Sequence, residues 1–457
     1  MQQNKITFCT GVGTVTGANF LLECGNGVKI LIDCGLVQGE RVASEENHEP
    51  FPYDLSTVTA LLVTHAHLDH VGRIPLLVKN GYRGPIYSTP QTKELAQLVL
   101  EDAVGILRTE AHNEGLEPLY GPDEVQAVFP LWKTLDYHQA FQLSPEVSIY
   151  LKDAGHILGS SMIEVTINAA GKTKMLFTGD LGNSPAPILR DTEDVGDVDY
   201  LVMESVYGDR NHEGRDERSQ VFEKIIRQTI DRGGTLVIPA FALDRTQVLL
   251  YELNTLVEKG KIPRVPIFVD SPMATKATEI YESNSQLFNE RVREQIQKGD
   301  DIFSFPHLEY TMSTNDSTDI DKQKTAKIIL AGSGMSVGGR VVSHEARYLP
   351  DPKSTILLVG YQNAGSLGRQ LSEGAKRVHI QGQNIKVKAH IETLFGFSAH
   401  KDGDHLVQFV STGTDKLKEV FTVMGEPKAS MHLAQRINDE LGVKAIVPER
   451  LKVYSLS

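Results

Sequence analysis

The sequence predicts an α/β protein assembled in two styles, a sheet-on-sheet sandwich flanked by helices and a mostly parallel sheet covered by helices. Three observations carry this. The first two hundred residues read as short strands joined by glycine turns. From about residue 209 the rhythm becomes alternating helix and strand, and after His400 the chain resumes helix, strand, helix and strand. At 457 residues the chain exceeds one ordinary core, so two domains of roughly 150–250 residues are expected.

In order, residues 7–9, 19–24 and 28–33 read as strands, with a hairpin turn at 25–27. Residues 59–63 form a buried strand that runs into His65, and few helices are expected this early. Val71, Ile74, Leu77 and Val78 give 69–79 the spacing of one helix, stopped by Asn80-Gly81. Strands follow at 147–151, 162–167, 174–177 and 200–203. The second rhythm comprises helix 215–231, strand 235–239, a helix through Leu256 capped by Asp244, and strand 265–269. It continues with strand 327–330, helix 340–348 and strand 354–360, and 313–324 is the expected exposed loop. The last elements are strand 420–423, helix 427–441 and strand 445–447. Trp132 falls between a helix and a loop and receives no role.

Hydrophobic residues at 40% and charged residues at 23% exclude wholesale disorder. The net charge of −13 argues, taken whole, against a nucleic-acid binder. Its distribution does not. Residues 1–208 hold 27 acidic against 13 basic side chains, whereas 209–392 hold 24 against 25 and 399–457 hold 8 of each. Within 340–390, eight basic residues face three acidic ones. No apolar run reaches the ~18–20 residues of a membrane span, and the first residues lack a charged segment leading into an apolar one. Cys9, Cys24 and Cys34 show no CxxC spacing and read as core residues. A soluble, cytoplasmic protein is expected, with no membrane partner.

His65-Ala66-His67-Leu68-Asp69-His70 carries the chemistry. Three imidazoles and a carboxylate are a ligand set for zinc or a similar divalent ion. A strand end points His65 and His67 the same way, and the turn that follows presents Asp69 and His70 toward an adjacent position. That arrangement suits two neighbouring ions. Beside this cluster, His156 in Gly155–Ser160 and Asp180 in Thr178-Gly179-Asp180 are read as further ligands. Asp33, at a strand end, is expected to orient a ligand by hydrogen bonding.

HAHLDH with the later His156 and Asp180 resembles the metallo-β-lactamase fold. LVMESVYGDR (201–210), FVDSPMA (268–274), AGSGMSVGG (331–339), GSLGRQL (365–371) and FSAH (397–400) resemble its nucleic-acid-processing branch, the β-CASP family. The resemblance spans nearly the whole chain. It implies an αββα sandwich made of residues 1–208 and 399–457, with a β-CASP domain inserted at 209–398. It further implies that His65, His67 and His156 hold one metal, that Asp69 and His70 hold a second, and that Asp180 bridges them. Asp69, Glu204 and His400 would then be catalytic, with His400, backed by Glu204, acting near the leaving group. Ser333, Gly334, Met335, Ser366, Arg369 and Ser398 match segments that line the family's cleft, where glycine-rich turns opening helices suit phosphate oxygens.

One position departs from the family pattern. Met424 stands where a further metal-binding His is usual, and a thioether is a poor zinc ligand. His432 lies too far along the next helix to substitute. The second site is therefore expected to be weaker, completed by water, or empty at low metal. Tyr361, Phe395 and Phe397 either stack on bases or are core aromatics at strand ends.

The expected function is a two-metal, zinc-type ribonuclease that uses metal-activated hydroxide and leaves a 5′-phosphate and a 3′-hydroxyl. A cleft between the domains would favour single-stranded RNA, and the resemblance allows a homodimer. Two alternatives stand beside it: a thioesterase-like hydrolase of the same fold, and an RNA-binding subunit weakened by Met424.

Overall fold

Strand Thr173–Phe177 turns Met175 and Phe177 into one buried layer and Leu176 into another. Its neighbour Tyr200–Glu204 does the same, with Val202 on one face and Leu201 and Met203 on the other. Side chains alternate along a strand, so a strand buried on both faces reads as an unbroken apolar run. The first layer fills the space between two sheets, where Phe8, Phe20, Ile30 and Ile32 meet Ile149, Val165, Phe177 and Phe421. The second packs a sheet against helices Gly403–Ser411 and Pro427–Arg436 through Leu406, Val410 and Leu433.

The computed structural model describes residues 3–38, 41–169, 171–212, 217–360, 362 and 365–456, with the side chains of 41–44 and 395 excepted. It divides into one unit of Met1–Asn211 with His400–Ser457 and another of His212–Ala399. Among the described residues no helix is long and apolar enough to cross a membrane.

The first sheet of the larger unit runs Val453–Leu456, Asn4–Thr10, Asn19–Glu23, Lys29–Ile32, Ala60–Leu62, Ile86–Ser88 and Trp132–Thr134. The second runs Ala445–Ile446, Glu419–Val423, Tyr200–Glu204, Thr173–Phe177, Ser161–Ile167, Val147–Asp153 and Phe141–Ser144. Both are mixed: antiparallel hairpins occupy one side, and parallel pairs lead to the strand ends that carry the site.

The smaller unit holds an all-parallel sheet in the order Leu308–Tyr310, Ile267–Asp270, Lys327–Ala331, Thr235–Pro239, Thr355–Leu358 and His390–Thr393. A separate antiparallel hairpin, Arg377–Ile380 with Gln383–Lys386, packs its apolar face on the same core.

Several expectations are corrected. The early region is not poor in helices: Pro90–Glu114 runs for 25 residues. Thr89 caps it, Pro90 opens it and Gly115 closes it at φ 69°, all legible start and stop signals. The single helix expected at 69–79 is two, Leu68–Val71 and Ile74–Lys79. Pro75 has no N–H to continue the ladder, and Arg73 N–H instead donates to Cys34 O at 2.9 Å. Residues 313–324 are mostly exposed but form the helix Thr314–Lys322, which buries Ile320 in the core and is nucleated by a reciprocal Ser313–Asp316 capping box. Helix Arg245–Glu258 begins after Asp244, whose side chain makes no capping bond. The helix expected from 215 is described as Arg218–Asp231, with Glu217 before its first turn; residues 215–216 lie outside the described residues. Trp132 opens a strand, buried, with Nε1 donating to Ser88 Oγ at 2.9 Å.

Candidate metal centre

Beyond strand Ala60–Leu62 the chain passes Thr64 and His65 and turns at His67 into the short helix Leu68–Val71. His67 occupies the position before that helix but spends no side-chain bond on capping it, so its ring is left for the site. Backbone hydrogen bonds clamp the turn: Ala18 N–H donates to Asp69 O (2.9 Å) and Cys34 N–H to His70 O (2.8 Å). The approach is so close that a Cβ at Gly35 would stand 1.5 Å from Asp69 O. His156 lies on a second turn, pinned where Thr89 and Thr92 hydroxyls both donate to Gly159 O, at 2.6 and 2.9 Å. Gly159 itself adopts φ 82°, and a Cβ there would meet Gln91 at 2.6 Å. Asp180 follows strand Thr173–Phe177, and Glu204 ends strand Tyr200–Glu204.

These elements bring the predicted ligands together. His65, His67, His156 and Asp180 each place one ligand atom within 4.8 Å of the others. His65 Nε2 and His67 Nδ1 are 3.1 Å apart, and His67 Nδ1 and His156 Nε2 are 3.3 Å apart. Asp180 Oδ2 lies 3.4 Å from His65 Nε2 and 3.5 Å from His156 Nε2. On the other side of the carboxylate, Asp180 Oδ1 is 3.4 Å from His70 Nε2, which is 3.9 Å from Asp69 Oδ2. Asp33 accepts from His70 Nδ1 (2.7 Å) and from Thr64 N–H and Oγ1–H (both 2.8 Å), so Nε2 is the His70 atom turned to the site.

Electrostatics prepares the donors. Burial, then the neighbouring His65, holds His67 well below the ordinary imidazole value, and burial with His400 does the same to His156. Both rings are therefore neutral, with lone pairs to give. Burial opposes ionisation of Asp180, but His70 and His65 outweigh it and keep the carboxylate charged.

Asp180, Glu204 and His400 form a second convergent group. His400 Nδ1 lies 3.2 Å from both Glu204 oxygens, and its ring centroid is 4.6 Å from that of His156. Burial alone would lower the His400 imidazole, but the Glu204 carboxylate reverses this and raises it to about 9.

Met424 is buried at φ 48°, packed in the inter-sheet core, with N–H donating to Gly11 O at 2.8 Å. It shares a small cavity with Asp33, Thr64, His70 and Glu204. His432 is exposed on helix Pro427–Arg436 and belongs to neither convergent group.

The residues expected to meet RNA lie in the smaller unit. Two loops come together there, with Gly368 N–H donating to Met335 O at 3.4 Å and Gln362 Nε2–H to Gly334 O at 3.1 Å. Ser333 Oγ accepts from Val337 N–H (3.1 Å), and Ser366 Oγ caps helix Leu367–Ser372 by accepting from Arg369 N–H (3.1 Å). Arg369 pairs with Glu373 at 2.6 Å, and Ser398 is buried. Phe397 is a core aromatic, set edge-on to Phe222 with Arg218 over its ring, so base stacking is not open to it. Tyr361 and the Phe395 side chain lie outside the described residues. Sequence reasoning missed Thr64, whose hydroxyl links Asp33 to His65; its only signal is a polar residue ending a buried strand just before the first His.

The Metallo-beta-lactamase superfamily domain matches residues 21–184, the Beta-Casp domain 246–371, and the Zn-dependent metallo-hydrolase RNA specificity domain 384–448. Ribonuclease TTHA0252 of Thermus thermophilus is 37% identical over 396 residues, 87% of this chain and 88% of the relative. The chain belongs to the β-CASP branch of the metallo-β-lactamase superfamily. Another β-CASP relative, transcription termination factor FttA of Methanosarcina mazei, is 32% identical over 99% of this chain and 71% of its own length. A solved protein of unknown function from Enterococcus faecalis V583 shares the fold, with a TM-score of 0.58 at 14% identity over 99% of this chain and 100% of its own.

The metallo-β-lactamase fold implies divalent-metal binding, and the β-CASP protein's residues fit it. Ligands about 2.0–2.1 Å from a tetrahedral zinc stand about 3.3 Å from one another. Four of the six ligand-atom separations in the first group are 3.1–3.5 Å, close to that edge, and all six lie within 4.8 Å. His70 Nε2 and Asp180 Oδ1 are moreover buried without any hydrogen-bond partner, a costly state that a cation relieves.

Proposed function

We propose that this β-CASP protein is a metal-dependent ribonuclease that hydrolyses phosphodiester bonds of single-stranded RNA, leaving a 5′-phosphate and a 3′-hydroxyl. The observation that carries the reading is the pairing of a convergent His65–His67–His156–Asp180 group, its ligand atoms all within 4.8 Å of one another, with the Glu204–His400 couple. His65, His67, His156 and Asp180 would hold one divalent ion, and Asp180, His70 and Asp69 a second, zinc being the ion that suits the donors. Bound divalent ions supply Lewis-acid polarisation of the phosphate and a water of lowered pKa.

The chain's own groups do the rest. Asp33 fixes His70 through Nδ1, keeping Nε2 on the site. As a water oxygen bonds to phosphorus, the P–O3′ bond breaks and the leaving oxygen needs a proton. His400 is kept cationic by Glu204 at its Nδ1, which leaves Nε2–H to donate that proton. Met424 contributes no imidazole to the second site, so that ion is held less tightly than the first.

The test combines metal analysis with cleavage of RNA labelled at the 5′ end or internally. Expected are bound divalent metal, products ending in 5′-phosphate, and loss of both metal and cleavage in His67→Ala. Intact cleavage by that variant, or thioester hydrolysis without RNA cleavage, overturns the reading. In metal titrations Met424→His tightens the second site roughly tenfold; unchanged stoichiometry and affinity refute its assignment. Solution scattering decides whether the active species is a homodimer.

A further inference from the structure

The basic stretch 340–390 is not one feature. Outside the hairpin, three of its arginines are matched by carboxylates: Arg340 by Asp270 (2.6 Å), Arg347 by Asp321 (3.1 Å) and Arg369 by Glu373 (2.6 Å). Lys376, Arg377, Lys386 and Lys388 behave differently. All four are exposed, and among the described residues none pairs with a carboxylate. No acidic residue occurs between Glu373 and Glu392.

Their scaffold is rigid. Strands Arg377–Ile380 and Gln383–Lys386 meet through a two-residue turn, Gln381-Gly382, with positive φ at both positions (49° and 78°), as a tight hairpin requires. Val378, Ile380, Ile385 and Ala389 anchor the inner face in the core, and Lys388 N–H donates to Leu349 O at 2.8 Å. The outer face puts Arg377 directly opposite Lys386, a like-charge cross-strand pair that weakens a hairpin unless an anion lies across it.

We infer that the outer face of this hairpin is a docking surface for the phosphate backbone of RNA, separate from the metal-ligand residues. The occupant is argued from charge complementarity: a fixed, unneutralised cationic face on a chain of net charge −13 selects a polyanion. Its cations meet phosphate, so they add affinity without reading sequence. The inference rests on the RNA reading above only for the identity of that polyanion.

The test replaces the four cations with glutamine, changing exposed side chains and no anchor. Binding of a fluorescent oligouridylate is measured across a salt series in the His67→Ala background, and kinetics in the holoenzyme. Expected is about tenfold weaker binding, with the log–log salt slope shallower by about 2–3, at about 0.7 for each phosphate left without its cation. KM rises while kcat holds, and substitution by the alternative cation at each position, Lys376→Arg, Arg377→Lys, Lys386→Arg and Lys388→Arg, preserves binding. Unchanged affinity and slope overturn the inference. So does aggregation of the glutamine variant with undiminished affinity, which makes the charges a guard on a strand edge. Binding through the hairpin by a protein that cleaves no RNA would leave this inference standing and defeat the proposed activity; a protein that binds no RNA defeats both.

Discussion

Each unit of this molecule buries a carboxylate beside imidazole, and the two clusters do opposite things with it. In the smaller unit Asp270 is saturated: Arg340, Thr311, Ser317 and His344 donate to its two oxygens at 2.5–2.7 Å. In the larger unit Asp180 meets His65, His70 and His156 at 3.4–3.5 Å, and its Oδ1 has no hydrogen-bond partner. A network that closes on itself rigidifies a fold, whereas one whose donors converge on open space is built to receive something. The contrast, rather than the presence of buried charge, separates structural from chemical clusters here.

Removing divalent metal with a chelator is expected to break the open cluster most visibly. RNA cleavage falls by roughly a thousandfold or more, since several kcal/mol of charge stabilisation are lost, while far-UV circular dichroism stays unchanged. Comparable cleavage with and without chelator refutes the assignment. Asp270→Ala strikes the closed cluster, stranding Arg340 without its counter-charge and His344 Nε2 without its hydrogen-bond partner. A loss of about 3–5 kcal/mol is expected in urea unfolding, with metal content intact; a smaller loss shows that water already serves those donors. Asp33→Asn tests the link between support and site. It leaves His70 present but unpositioned, and metal affinity should fall about 10–100-fold, read by competition with a chromophoric chelator.

The smallest effect concerns Glu345, buried with Ser336 Oγ donating to one oxygen at 2.5 Å and the other oxygen unpartnered. Burial pushes its carboxyl up to about 7. The folded state thus binds the proton more tightly than the unfolded chain, whose carboxyl titrates near about 4.3. This stabilising contribution is complete below that value and is lost as pH rises toward about 7. Glu345→Gln should flatten that slope in denaturation midpoints taken from pH 4 to 8; an unaltered slope assigns it to other groups.

Much of the candidate site was legible because its expected ligands are local. His65 to His70 occupy six consecutive positions, and a strand ending in a turn leaves little freedom for where they point. Glu204 and His400 are 196 residues apart yet meet at 3.2 Å, and no periodicity in either neighbourhood announces that meeting; only the family resemblance did. The sheet-on-sheet core was expected from many short strands joined by glycine turns, and its αββα form from the family resemblance. The split of helix 69–79 was not, since it depends on Cys34, a residue from another strand end, capturing Arg73 N–H. The division of the basic stretch into paired and unpaired halves was invisible too, because Asp270, Asp321 and the arginines they neutralise converge only in the folded sheet.

The parallel pairing of Glu419–Val423 with Tyr200–Glu204 has a consequence for the order in which the molecule comes into being. Every predicted metal ligand has left the ribosome by residue 180, but the strand that flanks Glu204 and the imidazole of His400 emerge only after the whole intervening unit. That unit is contiguous and can fold as it is made, whereas the larger one must wait for a pairing that spans over two hundred residues. A nascent or prematurely released chain therefore carries the ligands without the acid–base partner. On the proposed mechanism, cutting power is assembled last.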